Sequence, residues 1–252
     1  MASSNLAGEL PHSFRVDFLS KDTEMNLSYF ASIVEVVELF GLNKEQKLAL
    51  CILGKELLRR FQPDGNYLPS TSSQQEALFM YGMGGSGRSY VIHAWKALAK
   101  SWNREGTVKT MAISGVAAFV VDGITVASIT TFMKASNTKR ISHDKKEEWQ
   151  GVKFIILDEI SMAGAEDVEK LSNFFKQVTD IELSFGGLLV CLCGDFAQLS
   201  PVRKASLSRE GTNHPGKLIF ENIRSKNTVV LNQIMRTAFL EYIQLQENVR
   251  LT

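Results

Sequence analysis

An apolar run, Ala77-Leu78-Phe79-Met80-Tyr81, leads without a break into Gly82-Met83-Gly84-Gly85-Ser86-Gly87-Arg88-Ser89, and helix-forming sequence follows to about Ser101. No other stretch limits the fold as much. Where a strand enters a glycine-rich turn and leaves as a helix, backbone N–H groups and the positive end of the helix converge on one anion. The phosphate-loop pattern Gly-x-x-x-x-Gly-Lys-Ser/Thr is met at Gly82, Gly87 and Ser89, with Arg88 standing in the lysine position. Gly82, Met83, Gly84, Gly85, Ser86, Gly87, Arg88 and Ser89 are therefore the expected contacts of a nucleoside triphosphate, with Ser89 a ligand of Mg²⁺. Lysine offers phosphates a compact ammonium. Arginine keeps the charge on a longer, planar fork, so binding is expected to survive and hydrolysis to slow.

The rest of the chain supplies a fold in which such a loop belongs. Residues 108–114, 153–158, 188–194 and 228–231 read as short strands, and residues 89–101 and 166–178 as helices. The strands are apolar at successive positions, the mark of a sheet buried on both faces, so the expected class is α/β with a mostly parallel sheet sandwiched by helices. Leu27, Phe30, Ile33, Val34, Val37 and Phe40 recur at helical steps that Gly41 would end. A second helix is expected from Asn43 to about Phe61, with Asn43 as N-cap and Gln46 as its capping-box partner. Residues 62–75 are loop by composition. The expected division is an N-terminal helical segment over 1–75 and an α/β lobe over 76–252, with 136–150 a charged, exposed excursion.

Two acids follow the strand Phe154-Ile155-Ile156-Leu157: Asp158 is placed to hold Mg²⁺ and Glu159 to polarise the attacking water. Gln198 follows the strand at 188–194, where it can sense a γ-phosphate.

Composition limits the partners. Lys and Arg number 28 against 27 for Asp and Glu, a net charge of +1, so any polyanion site must come from local clusters. The clusters are Lys55, Arg59 and Arg60; Lys139, Arg140, Lys145 and Lys146; and Arg203, Lys204 and Arg209. Each reads more simply as solvated surface. Cys51, Cys191 and Cys193 form no disulfide framework and are expected to be reduced core thiols of an intracellular protein, the last two on one face of a strand. Trp95, Trp102 and Trp149 are expected in helix and core packing. The N-terminus lacks a leader pattern and no apolar run approaches the ~20 residues that cross a bilayer, so no membrane partner is expected.

In this order the segments resemble the first motor lobe of superfamily 1B DNA helicases of the petite integration frequency (PIF) type, related to RecD. Leu42-Asn43-Lys44-Glu45-Gln46 resembles the family's adenine-reading Q motif, and Gly82–Ser89 its motif I. Ser114-Gly115-Val116-Ala117-Ala118 resembles motif Ia, which touches phosphates of single-stranded DNA. Ile156–Met162 and Gly194–Val202 are very similar to motifs II and III, and Leu231–Arg236 resembles motif IV. The resemblance implies a RecA-like P-loop lobe that binds ATP and Mg²⁺. It implies Gln46 on adenine, Arg88, Glu159, Gln198 and Arg236 at the reacting phosphate, and Ser114 and Gly115 on DNA. It also implies ATP hydrolysis coupled to 5′-to-3′ movement on single-stranded DNA. The family serves replication, recombination, repair and telomere maintenance, in the nucleus ahead of the mitochondrion.

The sequence departs from the family at Arg88 and at Ile113, where a proline is usual. It also lacks a histidine in both alignments of the segment after motif Ia, Thr125–Ser128 or Ser128–Thr131. The chain ends at Thr252, just past motif IV. The second lobe is thus expected to be absent, and this chain alone is not expected to unwind duplex. The competing reading is a degenerate, non-hydrolysing nucleotide- or DNA-binding module.

Overall fold

The computed structural model describes residues 33–60, 76–135, 140–208 and 213–235. Six strands form one sheet: β1 (Ala77–Gly82), β2 (Val108–Ala112), β3 (Ile124–Thr125), β4 (Phe154–Asp158), β5 (Leu189–Gly194) and β6 (Thr228–Leu231), in the order β3-β2-β4-β5-β1-β6. Every pair in it is parallel. The helices are α1 (Lys44–Arg60), α2 (Arg88–Ser101), α3 (Gly115–Val120), α4 (Val126–Ala135), α5 (His143–Gln150), α6 (Ala165–Thr179) and α7 (Pro215–Lys226). The expected parallel α/β sandwich is what forms.

Period-two geometry sends alternate strand residues into two cores. Leu78 and Met80 of β1, Phe154 and Ile156 of β4, and Leu189, Cys191 and Cys193 of β5 pack beneath α1 and α2. Phe79, Ile155, Leu157, Val190 and Leu192 point the other way, against α6 and α7. Residues 33–60 are continuous with the first core through Ile33, Leu50, Leu53 and Leu57. The boundary expected at residue 75 falls outside the described residues, as do Leu27 and Phe30.

Residues 33–39 are helical, and the turn closes at Gly41 as expected: Gly41 N–H donates to Glu38 O at 3.0 Å and Leu42 N–H to Val37 O at 3.2 Å. Asn43 caps α1 through the reciprocal pair anticipated from sequence, Gln46 N–H to Asn43 Oδ1 at 2.9 Å and Asn43 N–H to Gln46 Oε1 at 3.0 Å.

The excursion expected over 136–150 needs correction. Its second half is α5, capped by Ser142 and anchored by Trp149, which is 2% exposed and meets Phe174 and Phe175 edge-on at 5.6 and 5.5 Å. Burying one such aromatic is worth about 1.5–3 kcal/mol, enough to hold a polar helix of this length to the body. Trp95 and Trp102 are also buried, and all three cysteines are free and buried.

Candidate functional site

Because all strands run in parallel, their C-terminal ends share one edge of the sheet, where loops from different strands meet. The phosphate loop leaves β1 there, Ser114 follows β2, Asp158 ends β4, and residues 195–198 and 232–235 follow β5 and β6.

The loop turns into α2 at Gly87, whose φ of 86° is left-handed. A Cβ there would also stand 2.4 Å from Gln46 Nε2, so glycine is required twice over. No side chain caps the N-terminus of α2, and its first turn holds no acid. A helix end with unpaired N–H groups and no competing carboxylate is suited to an anion, and the loop fits a nucleotide's phosphates on that ground.

Two neighbours brace the loop directly, and a third bond ties the bracing segments to each other. Gln46, fully buried, donates through Nε2 to Ser86 O at 3.3 Å. Met235 N–H donates to Gly85 O at 2.7 Å, and Gln233 Oε1 accepts from Asn43 Nδ2 at 3.2 Å. Gln46 thus serves the cap with its oxygen and the loop with its nitrogen.

Arg88 does not reach outward. Its side chain is 8% exposed and folds back under the loop. Nη1 donates to Gly82 O at 2.6 Å, Nη2 donates to Glu159 Oε1 at 2.8 Å, and Nε lies 3.8 Å from Asp158 Oδ1. Asp158 is 4% exposed and accepts the Glu159 N–H at 2.9 Å. Burial pushes its carboxyl above the usual range, and the Arg88 charge opposes that rise. Glu159 has a left-handed φ of 54°, strain that a non-glycine residue adopts where its surroundings hold it there.

Gln198 is exposed, with Nε2 3.2 Å from where a Cβ on Gly84 would stand and 3.1 Å from Asp195 Oδ2, to which it donates. Asp195 was not singled out from sequence. It is buried, and its other oxygen accepts the Ala197 N–H at 3.0 Å. An Asp opening a turn two residues before that N–H was the available signal.

For Mg²⁺, the half-buried Ser89 hydroxyl and the Asp158 carboxylate are the hard oxygen donors this ion prefers. Among the described residues no cluster of three or more His, Cys, Asp or Glu could hold a metal, so phosphate and water oxygens would complete its shell. The donor types fit.

Ser114 caps α3, its Oγ accepting the Ala117 N–H at 3.1 Å, and Gly115 is exposed beside it. Two of the basic clusters are partly spent on ion pairs: Lys146 on Asp180, and Lys204 on the buried Asp167 at 2.7 Å. Arg236, Lys139 and Arg209 lie outside the described residues. No helix among the described residues is long and apolar enough to cross a membrane.

Fold and site define the class: an α/β lobe of the RecA-like type carrying a phosphate loop. The chain belongs to the PIF1-like helicase family, whose model matches residues 68–251. It is 28% identical over 187 residues to the ATP-dependent DNA helicase PIF1 of Saccharomyces cerevisiae (strain YJM789), covering 69% of this chain and 21% of that protein. The crystal structure of the Pif1 helicase from Candida albicans superposes with a TM-score of 0.61 at 25% identity, over 83% of this chain and 44% of that one. The Bacteroides Pif1 in complex with ADP-AlF3 and ssDNA shares the fold, with a TM-score of 0.55 at 21% identity over 83% and 46% of the two chains. The chain therefore spans about a fifth of the yeast relative and less than half of these structures.

Proposed function

We propose that this chain is the nucleotide-binding lobe of an ATP-dependent DNA helicase and holds ATP at Gly82–Ser89. The observation that carries this reading is convergence. The loop after β1 meets the β4 acids through Arg88, the β5 turn through Gln198 and the segment after β6 through Met235. Family membership and the Bacteroides Pif1 complex with ADP-AlF3 and ssDNA support it.

In this reading Ser89 and Asp158 would hold Mg²⁺, which would offset charge on the phosphates. Glu159 orients the attacking water, Gln198 reports the γ-phosphate, and Arg236 stabilises the charge that develops as the bond breaks. Gln46, fully buried, would serve the nucleotide by fixing the loop through Ser86 and not by touching adenine directly. Single-stranded DNA would cross the same edge at Ser114 and Gly115, with 5′-to-3′ movement the activity the family resemblance implies. In this reading the chain would work with DNA, in the nucleus ahead of the mitochondrion. Arg88 slows hydrolysis, because a water-orienting carboxylate hydrogen-bonded to a guanidinium is a weaker base and is not free to turn.

The test is a fluorescent-ATP titration beside an ATPase assay with and without single-stranded DNA. Binding with DNA-stimulated turnover upholds the helicase lobe. Binding without turnover selects a nucleotide-holding module, and no binding ends the reading.

A further inference from the structure

Arg88 supplies a positive charge beside both Asp158 and Glu159. Its guanidinium bonds Glu159 at 2.8 Å, lies 3.8 Å from Asp158 and is tied to the loop by the Gly82 carbonyl at 2.6 Å. Two adjacent carboxylates, one of them 4% exposed, require a nearby positive charge to stay ionised together. In most phosphate loops the lysine points at the phosphates, and a divalent ion serves the acids. Here one planar fork reaches both acids and the loop, a spread of directions that the point-like lysine ammonium does not match. A cation approaching Asp158 would also meet the Arg88 charge head on.

We propose that Arg88 substitutes for the divalent cation in holding nucleotide: the site binds a nucleoside di- or triphosphate equally well with or without Mg²⁺. The cation is then needed for turnover and not for retention. The proposal rests on the reading of Gly82–Ser89 as a nucleotide site. It predicts a lobe that keeps its nucleotide when magnesium is scarce.

The experiment titrates the full chain with the fluorescent probe mant-ADP, once in EDTA and once in excess MgCl₂. The wild type is expected to give dissociation constants within about threefold of each other. Arg88→Lys is expected to bind at least ~10-fold more weakly in EDTA than in Mg²⁺, because its ammonium no longer neutralises both acids. Arg88→Gln, which keeps hydrogen bonding without the charge, should behave as Arg88→Lys does. A wild type at least ~10-fold weaker in EDTA overturns the proposal and leaves the nucleotide site standing. Variants as indifferent to Mg²⁺ as the wild type overturn it too. No binding under either condition overturns the site and the proposal together. The wild-type comparison is decisive by itself whichever variants fold.

Discussion

Gln46 Nε2 donates to the Ser86 carbonyl at 3.3 Å, so a fully buried amide on α1 braces the phosphate loop from behind. The same side chain closes the cap of α1 through its oxygen. Gln46→Ala would leave a buried carbonyl and the Asn43 N–H without partners, at about 1–3 kcal/mol. The expected result in calorimetry is a Tm lower by about 3–10 °C, with weaker mant-ADP binding. Gln46→Glu keeps an acceptor for the cap but sets an anion against the carbonyl. It should lose nucleotide binding at least as fully as Gln46→Ala. Wild-type binding in both would show that the brace does not matter to the loop.

Arg88→Lys should release Glu159. A freed and correctly placed general base contributes about 10²–10⁴-fold, so hydrolysis by the variant is expected to rise by about 10²-fold at saturating ATP. Single-turnover rates, which isolate chemistry from product release, are the measurement. Wild-type turnover equal to that of Arg88→Lys would mean that the Arg88–Glu159 bond does not limit the reaction.

Gly216 tests the packing of α7 on α6. It stands in the first turn of α7, where a Cβ would come 1.8 Å from Ala165 O and 3.0 Å from Glu169 N, both backbone atoms of α6. Neither can rotate away, so Gly216→Ala must push the two helices apart. The expected cost is about 3 kcal/mol or more in urea denaturation.

Cys51 gives a pH signature. Burial pushes its thiol up from 9.0 to about 11, with Lys47 opposing. Between those values the folded state keeps a proton that the unfolded chain releases, so stability falls as pH rises through the window. The loss attributable to this group is about 2–3 kcal/mol by pH 11. Cys51→Ala should flatten that part of the curve in urea titrations at pH 8, 9, 10 and 11. A variant slope equal to the wild type's would place the titration elsewhere.

Several elements could be read from the chain because their signals are local. β1, β4, β5 and β6 show as unbroken apolar runs, and their observed ends agree with the expected ones to within a residue. The expected strand at 108–114 stops at Ala112, because Ser114 turns away to cap α3. The Asn43–Gln46 cap was legible for the same local reason. α7 was not: it begins at Pro215 after a stretch with no apolar run, and its helical form depends on burying Phe220 and Ile223 against the sheet and α6. α5 was hidden because one residue, Trp149, holds an otherwise charged segment.

The amino-acid sequence alone determined the chemical groups at the site: a glycine loop with an arginine in the lysine position, two acids behind a buried strand, and a glutamine behind the next. Only the tertiary structure decided which of them touch. β5 lies between β1 and β4 in the sheet, so the end of β4 comes within reach of a side chain that leaves the loop after β1. Arg88 spans that gap to Glu159, 71 residues further along the chain. Spacing along a chain governs contacts over a few residues, through the periods of helix and strand. Partners so distant in sequence are set by strand order, and strand order by the burial of two hydrophobic faces at once.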